Sequence, residues 1–306
     1  MGKEVFVKDG EVVTPFSPWV LTQSIMPTGI HPEKAHGVAR EVGEQFKAAG
    51  KRFVKRGDIR KRVKDHLEEI DPKLPEIYEV WREYRSKRAS GKIPQPLIVL
   101  LGGSTGSGKS SVALEVAHRL GIRNVIGTDY VRQVLRTLFS QDILPDLYLS
   151  TYNAYKAVNI PIAPGEDKVV IGYAEQAKHV AVGIEAMIER AMQEGTDVIL
   201  EGIHILPSIL DDELIQNPSV NIVFLSMDSE EAHKDRIRKR AEYSSRPLQS
   251  YMRDFDKIRR IQNFIVEQGS SRGLPVIDNL DMGKSVERII KKVTVNIQVL
   301  MKKNGK

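Results

Sequence analysis

The spacing of apolar positions along the chain changes period several times, and each change marks an element. Residues 5 to 13, V-F-V-K-D-G-E-V-V, set two short β-branched runs around Lys8-Asp9-Gly10, and a turn dipeptide between alternating apolar residues predicts a hairpin. Helical spacing follows. Ser17 suits an N-cap with Pro18 at the first helical position, and further helices are predicted from Pro32 to about Ala49, from Arg60 to Ile70, and from Leu74 to Arg88. Lys92-Ile93-Pro94-Gln95-Pro96 reads as a linker.

Beyond the linker, strands alternate with helices. Leu97 to Leu101 is a continuous apolar run, the pattern of a strand buried on both faces. Asn124 to Thr128, Asp197 to His204, Val220 to Met227 and Leu274 to Ile277 supply four more strands. Helical periods cover 130–139, 172–194, the basic stretch through His233 to Arg240, 251–268 and 283–301. The alternation predicts an α/β domain over 93–306, three layers around a central parallel sheet of about five strands, behind a small, mostly helical domain with a β-hairpin over 1–92. Residues 140 to 170, with Pro145, Pro161, Pro164 and Gly165, carry no regular period and predict a long loop closing over a substrate, with Lys156 and Lys168 as contacts.

Composition narrows the class. With 306 residues, 41% hydrophobic and 28% charged, the chain is of ordinary globular type. No apolar run approaches a bilayer span and no cleavable leader is visible, so a cytoplasmic protein without a membrane partner is expected. Zero cysteines exclude disulfides and zinc-thiolate sites. Of the net charge of +6, residues 1–92 hold an excess of five, with 19 basic and 14 acidic side chains. A nucleic-acid surface, a site for a small anion, or a solvated basic face each accounts for it.

The chemistry concentrates at Gly103-Ser104-Thr105-Gly106-Ser107-Gly108-Lys109-Ser110-Ser111. This is the full G-x-x-x-x-G-K-[ST] pattern in the order strand, loop, helix. Its glycines let successive N–H groups point at phosphate oxygens, Lys109 reaches the β- and γ-phosphates, and Ser110 offers its hydroxyl to Mg²⁺. Binding of a nucleoside triphosphate follows, with ATP and Mg²⁺ as expected cofactors.

Asp129 stands at the end of the second strand, where it either positions or deprotonates an acceptor hydroxyl, helps hold Mg²⁺, or caps the next helix. Arg132 and Arg136, four apart, share a helix face and are candidates for a substrate anion. Glu201 ends the third strand in the place of a metal-orienting carboxylate, and His204 after it donates to a phosphate or serves the structure alone. Arg236 and Arg240, one turn apart, are candidates to stabilise charge on a transferred phosphoryl group, with Arg246 beyond them for the substrate.

Two resemblances add to this. The first 90 residues resemble an ATP-cone, a small nucleotide-sensing module with an apolar strand and a K-R-D-G-like turn; the second basic residue of that turn is missing here, and Lys8 is the one residue carried over as a phosphate contact. The phosphate loop, T-D-Y-V-R-x-x-x-R, E-G-x-H, R-x-x-x-R and V-I-D-N together resemble the archaeal 2-phosphoglycerate kinase family, in which an ATP-cone precedes a kinase domain of the nucleoside-monophosphate-kinase type. That resemblance implies ATP-dependent phosphorylation of the 3-hydroxyl of 2-phosphoglycerate, in the making of a cyclic 2,3-diphosphoglycerate solute. A related kinase acting on another phosphorylated alcohol, such as mevalonate 3-phosphate, is the alternative. An ATP-sensing NTPase regulator that binds nucleic acid is the reading from another class, disfavoured by the lack of a zinc ribbon or helix-turn-helix signal. A homo-oligomer is compatible with the chain.

Overall fold

The computed structural model describes residues 4–159, 161–242 and 248–303. Arg246, singled out above, lies outside the described residues. The chain divides into two compact units. The first comprises the described residues of 1–94, 119–121 and 290–306, and the second those of 95–118 and 122–289.

In the first unit, β1 (Phe6–Asp9) and β2 (Val12–Pro15) form the expected antiparallel hairpin, with Gly10 at φ 60° in its turn. A strand the apolar pattern did not predict, β3 (Phe53–Lys55), pairs parallel to β1 and completes a sheet of order β2-β1-β3. Three residues between basic neighbours are too few to show a period. Four helices pack behind it: α1 (Pro18–Ile25), α2 (Pro32–Ala48), α3 (Arg56–Ile70) and α4 (Leu74–Ala89). Ser17 caps α1 as expected, accepting from the Val20 N–H at 3.3 Å. Ile25, Val42, Phe46, Val63 and Leu67 are fully buried at its centre.

A domain division at residue 92 is incomplete, since residues 290–303 of the last helix also belong to this unit. There the buried Trp81 indole donates to Thr294 Oγ1 at 3.0 Å, and Thr294 in turn donates to the Ile290 carbonyl.

In the second unit five parallel strands lie in the order β5-β6-β4-β7-β8: β4 (Ile98–Gly103), β5 (Asn124–Gly127), β6 (Val198–Gly202), β7 (Val220–Ser226) and β8 (Val276–Asp278). The apolar run of β4 is explained by its place: it is central, paired with β6 on one side and β7 on the other, and buried throughout. After β4 the chain moves out to β5, returns through β6, and crosses to β7 and β8. That reversal opens a crevice at the carboxyl ends of the strands, the usual ligand position in open α/β sheets.

Helices α5 (Lys109–Leu120), α6 (Thr128–Leu138) and α7 (Lys168–Glu194) connect strands on the β5 side, with α7 capped by Asp167 and ended by Gly195 in the left-handed region. A short α8 (Asp212–Gln216) and then α9 (Glu230–Glu242) follow. The helix expected over 251–268 is two, α10 (Leu248–Arg253) and α11 (Phe255–Ser271), and α12 (Met282–Lys303) closes the chain. Asp254 separates α10 from α11. Its buried carboxylate is held by Lys257 at 2.7 Å and Arg253 at 3.5 Å, a tertiary demand that helical periodicity does not register. The irregular 140–170 stretch contains two 3₁₀ segments, Pro145–Tyr148 and Thr151–Ala157.

Replacing Thr294 by Val keeps the volume and removes the acceptor of a buried indole N–H, so it should destabilise the protein by about 1–3 kcal/mol in chemical unfolding. A loss within experimental error would show that the Trp81 bond contributes nothing net.

Candidate active site

Residues 104–108 link β4 to α5, and the loop is fixed by its carbonyls. Ser104 O accepts Lys109 Nζ at 2.7 Å, Thr105 O accepts His233 Nε2 at 2.7 Å, and Ser107 O accepts Asn279 Nδ2 at 2.8 Å and an Arg236 guanidinium N–H at 3.3 Å. The Ser104 hydroxyl donates to Gln262 Oε1 at 3.1 Å, while the same amide group bonds both the N–H and the carbonyl of Met227. Gly106, at φ 84°, meets α9 so closely that a Cβ would stand 2.7 Å from Ile237 Cγ1 and 2.9 Å from His233 Nε2. The Ser107 N–H closes the turn on the Ser104 carbonyl at 3.3 Å, and with the carbonyls engaged from behind the other N–H groups of the loop are placed to meet an anion. Ser107 Oγ is buried without a hydrogen-bond partner, a free polar group in a cradle built for anions.

Lys109 is buried. Desolvation pushes its ammonium down to about 8 from the ordinary 10.5, with Arg240 acting the same way and Glu201 and Asp129 opposing. Ser110 donates its hydroxyl to Glu201 Oε1 at 2.8 Å. Glu201 sits in register with Leu101 of β4 and Gly127 of β5, which brings the end of β6 beside the start of α5. These two oxygen donors, half open beside a phosphate cradle, suit a hard divalent cation that completes its shell with water and phosphate oxygens.

Thr128 begins α6, so Asp129 lies in its first turn and not at the N-cap position. Its carboxylate is 59% exposed and pairs with buried Arg132 at 3.5 Å, and Arg132 also donates to the Leu149 carbonyl at 3.1 Å. Thr128 Oγ1 bonds His204 Nδ1 at 2.9 Å across the β5 and β6 ends, where Gly202 is required: a Cβ there would lie 1.7 Å from the hydroxyl. His204 is fully buried. Burial pushes it down to about 3, so it is neutral, and its Nε2 has no partner.

Two cavities open from this floor. One of about 310 Å³ is lined by Asp129, Arg132, Thr151, Tyr152 and Tyr251, among others; one of about 770 Å³ is lined by Gly106, Gly108, Ser111, Arg236, Asn279 and Met282, among others. Lys109, Ser110 and Arg240 line both.

The structure therefore gathers Lys109, Ser110, Asp129, Arg132, Glu201 and Arg240 at one place, and sets His204 in the wall behind them through Thr128. Arg136 goes elsewhere: its guanidinium lies 4.7 Å from the centre of the Tyr148 ring and bonds Gln133. Arg236 is occupied by the carbonyls of Ser107, Asn279 and Leu280. Lys8 is an exposed residue of β1, in the first unit. Tyr152, Tyr251, His233 and Gln262 were not anticipated. Their roles depend on contacts across more than a hundred residues (Gln262 to Ser104, His233 to Thr105), or on a 3₁₀ segment, as for Tyr152.

A parallel sheet with this phosphate loop at its central strand, and two cavities meeting at its lysine, defines a P-loop phosphotransferase. No protein-family model matches the chain. Curated relatives named 2-phosphoglycerate kinase do: that of Methanopyrus kandleri is 38% identical over 290 residues, 94% of this chain and 86% of the relative. The Methanothermobacter thermautotrophicus relative is 38% identical, covering 92% and 90%, and that of Pyrococcus furiosus 35% identical, covering 99% and 97%. The chain belongs to the 2-phosphoglycerate kinase family.

Because the folded-state value of Lys109 lies below its unfolded value, the unfolded chain binds the extra proton between about pH 8 and 10.5. The group's contribution to stability therefore rises with pH across that window. The unfolding free energy of the protein minus that of the Lys109→Met variant, followed by urea titration, should increase from pH 8 to 10. A flat difference would show that Lys109 keeps an ordinary pKa.

Proposed function

We propose that the protein transfers the γ-phosphoryl group of ATP to the 3-hydroxyl of 2-phosphoglycerate, releasing 2,3-bisphosphoglycerate and ADP. The observation that carries this reading is the pair of cavities meeting at Lys109, Ser110 and Arg240. The larger, over the phosphate loop, takes the nucleotide, and the smaller takes a compact polar acceptor. The relatives' shared name supplies the acceptor, and the side chains agree with it: Arg132, Lys109 and Arg240 offer charge to a carboxylate and a phosphate, and Thr151, Tyr152 and Tyr251 offer hydroxyls.

In the transfer, the acceptor oxygen forms a bond to the γ-phosphorus as the bond from that phosphorus to the β–γ bridging oxygen breaks. Asp129, at the mouth of the acceptor cavity, orients the hydroxyl and takes its proton. Arg132 keeps the carboxylate of Asp129 in place through their ion pair. Lys109 and Arg240 neutralise charge on the transferred group from the two sides of the junction. Arg236, bound to three carbonyls, supports the loop and leaves Arg240 as the arginine that addresses the phosphoryl group. Ser110 and Glu201 would hold Mg²⁺, which when bound offsets negative charge on the phosphate oxygens.

The first unit is read as a nucleotide-sensing module. Its support is the hairpin turn at Lys8-Asp9-Gly10 backed by helices, with Lys8 beside Lys55 in register.

The test is ADP release with Mg-ATP against 2-phosphoglycerate, mevalonate 3-phosphate and unphosphorylated glycerate, with products identified by mass. Turnover is expected with 2-phosphoglycerate, giving the bisphosphate. Lys109→Ala should abolish it, and Asp129→Asn should lower kcat by about 10²–10⁴-fold. A fully active Lys109→Ala enzyme would refute the phosphoryl-transfer reading, and turnover confined to mevalonate 3-phosphate would replace the acceptor.

A further inference from the structure

The helix that carries Arg240 is held down by very little apolar surface. Of the thirteen residues of α9 only His233 and Ile237 are buried, and both abut Gly106 of the phosphate loop. His233 is fully buried, with Nε2 2.7 Å from the Thr105 carbonyl. A carbonyl oxygen only accepts, so Nε2 carries the proton and Nδ1 is the bare nitrogen. Nδ1 faces an Arg259 guanidinium N–H at 3.5 Å, and the ring stands edge-on to Phe255 with centroids 5.3 Å apart. Burial, helped by the charges of Arg259, Lys109 and Arg236, holds the imidazole below the usual histidine range. The neutral tautomer with its single donor aimed at the loop is thus fixed on both sides.

Positions 236 and 237 lie three and four residues beyond 233, and 240 lies four and three beyond them, which places all four along one face of the helix. Along that face His233 grips the Thr105 carbonyl, Arg236 grips that of Ser107, Ile237 covers Gly106, and Arg240 reaches the junction of the two cavities. Packing of one isoleucine tolerates sliding. A directional bond to a carbonyl does not, and a displacement of about 1 Å in a group that meets the reacting atoms can reduce rate by about 10²-fold.

We propose that His233 is a positioning residue for phosphoryl transfer: its bond to the Thr105 carbonyl sets the register of α9 on the phosphate loop, and through that register places Arg240 beside Lys109. The inference rests on the kinase reading for its consequence in turnover, but its physical content is a coupling between His233 and Arg240 that nucleotide binding alone reports.

The experiment is a double-mutant cycle of His233→Leu and Arg240→Ala on the full chain. The readouts are the Kd of a non-hydrolysable β,γ-imido ATP analogue by calorimetry, and kcat and KM for ATP where turnover is seen. Each single variant is expected to weaken analogue binding by about 10-fold, the loss of one charge-assisted or buried hydrogen bond. The double variant should be little weaker than either, so the product of the single effects overshoots by close to 10-fold. His233→Gln, whose amide N–H reaches as far as Nε2, should recover most of the loss, with kcat restored more than KM. Should the leucine variant not fold, His233→Asn takes its place, keeping polarity without the reach. Single effects that multiply within about twofold would overturn the inference, as would a folded His233→Leu protein with wild-type Kd. If no acceptor is turned over, the kinase reading fails while the binding cycle still decides this one.

Discussion

A loop that turns its N–H groups toward a ligand must leave its carbonyls facing the protein, and buried carbonyls require donors. That requirement organises the second unit. Lys109 from α5, His233 and Arg236 from α9, and Asn279 from the end of β8 each supply a donor to one of the carbonyls of Ser104, Thr105 and Ser107. Gln262 from α11 takes the Ser104 hydroxyl and ties it to the backbone of Met227, just past β7. Apart from Lys109, the phosphate cradle is therefore a local sequence held in shape by residues 128 to 172 positions away. Two of its anchors lie on the helix that also presents Arg240. The packing that sets the loop geometry therefore also carries the arginine that lines both cavities.

The site is assembled at an electrostatic disadvantage. Lys109 is buried beside a second cation, and burial together with the charge of Arg240 outweighs the attraction of Glu201 and Asp129. Such a group is poorly satisfied until an anion arrives, and the benefit then falls on the polyphosphate. The acids are arranged so as not to quench it: Asp129 is engaged with Arg132 and Glu201 with the Ser110 hydroxyl. His204 contributes without charge, its imidazole kept neutral by burial while it links the ends of β5 and β6 through Thr128.

What could be read from the sequence was what a short segment specifies. The phosphate loop, the buried strand before it, and the acids at the ends of two later strands are local patterns with local causes, and the sheet brings them together as the alternation predicted. The two pairs of basic residues mark the limit. Arg132 and Arg136 share spacing, as do Arg236 and Arg240, yet Arg132 reaches the shared floor while Arg136 is drawn to the Tyr148 ring, and Arg240 lines both cavities while Arg236, bound to three carbonyls, lines only the larger. Spacing places two side chains on a face; what that face meets is decided by elements elsewhere in the chain. For the same reason His233 and Gln262 gave no signal, being a buried histidine and glutamine in otherwise ordinary helices.

The two halves of the site are also built differently. The nucleotide side rests on carbonyl anchors and close approaches that leave little freedom, as Gly106 against α9 shows. On the acceptor side the walls come from 3₁₀ segments whose backbone groups are met by helix side chains: Gln176 donates to the carbonyls of Asp146 and Leu149, and His179 bonds the Asp146 carboxylate at 2.9 Å. Arg132 donates to the same Leu149 carbonyl, so a residue that lines the smaller cavity is also one that holds its wall. Tyr152 from this enclosure packs against Tyr251 of α10, with ring centroids 6.2 Å apart, and both line the smaller cavity. Exchanging residues in these segments would reshape the acceptor pocket without disturbing the carbonyl contacts of the loop. On the proposed reading, a fold built this way keeps one phosphoryl donor while its acceptor changes, and discrimination among small phosphorylated alcohols would lie with Thr151, Tyr152, Tyr251 and Arg132, which line the smaller cavity, more than with the phosphate loop.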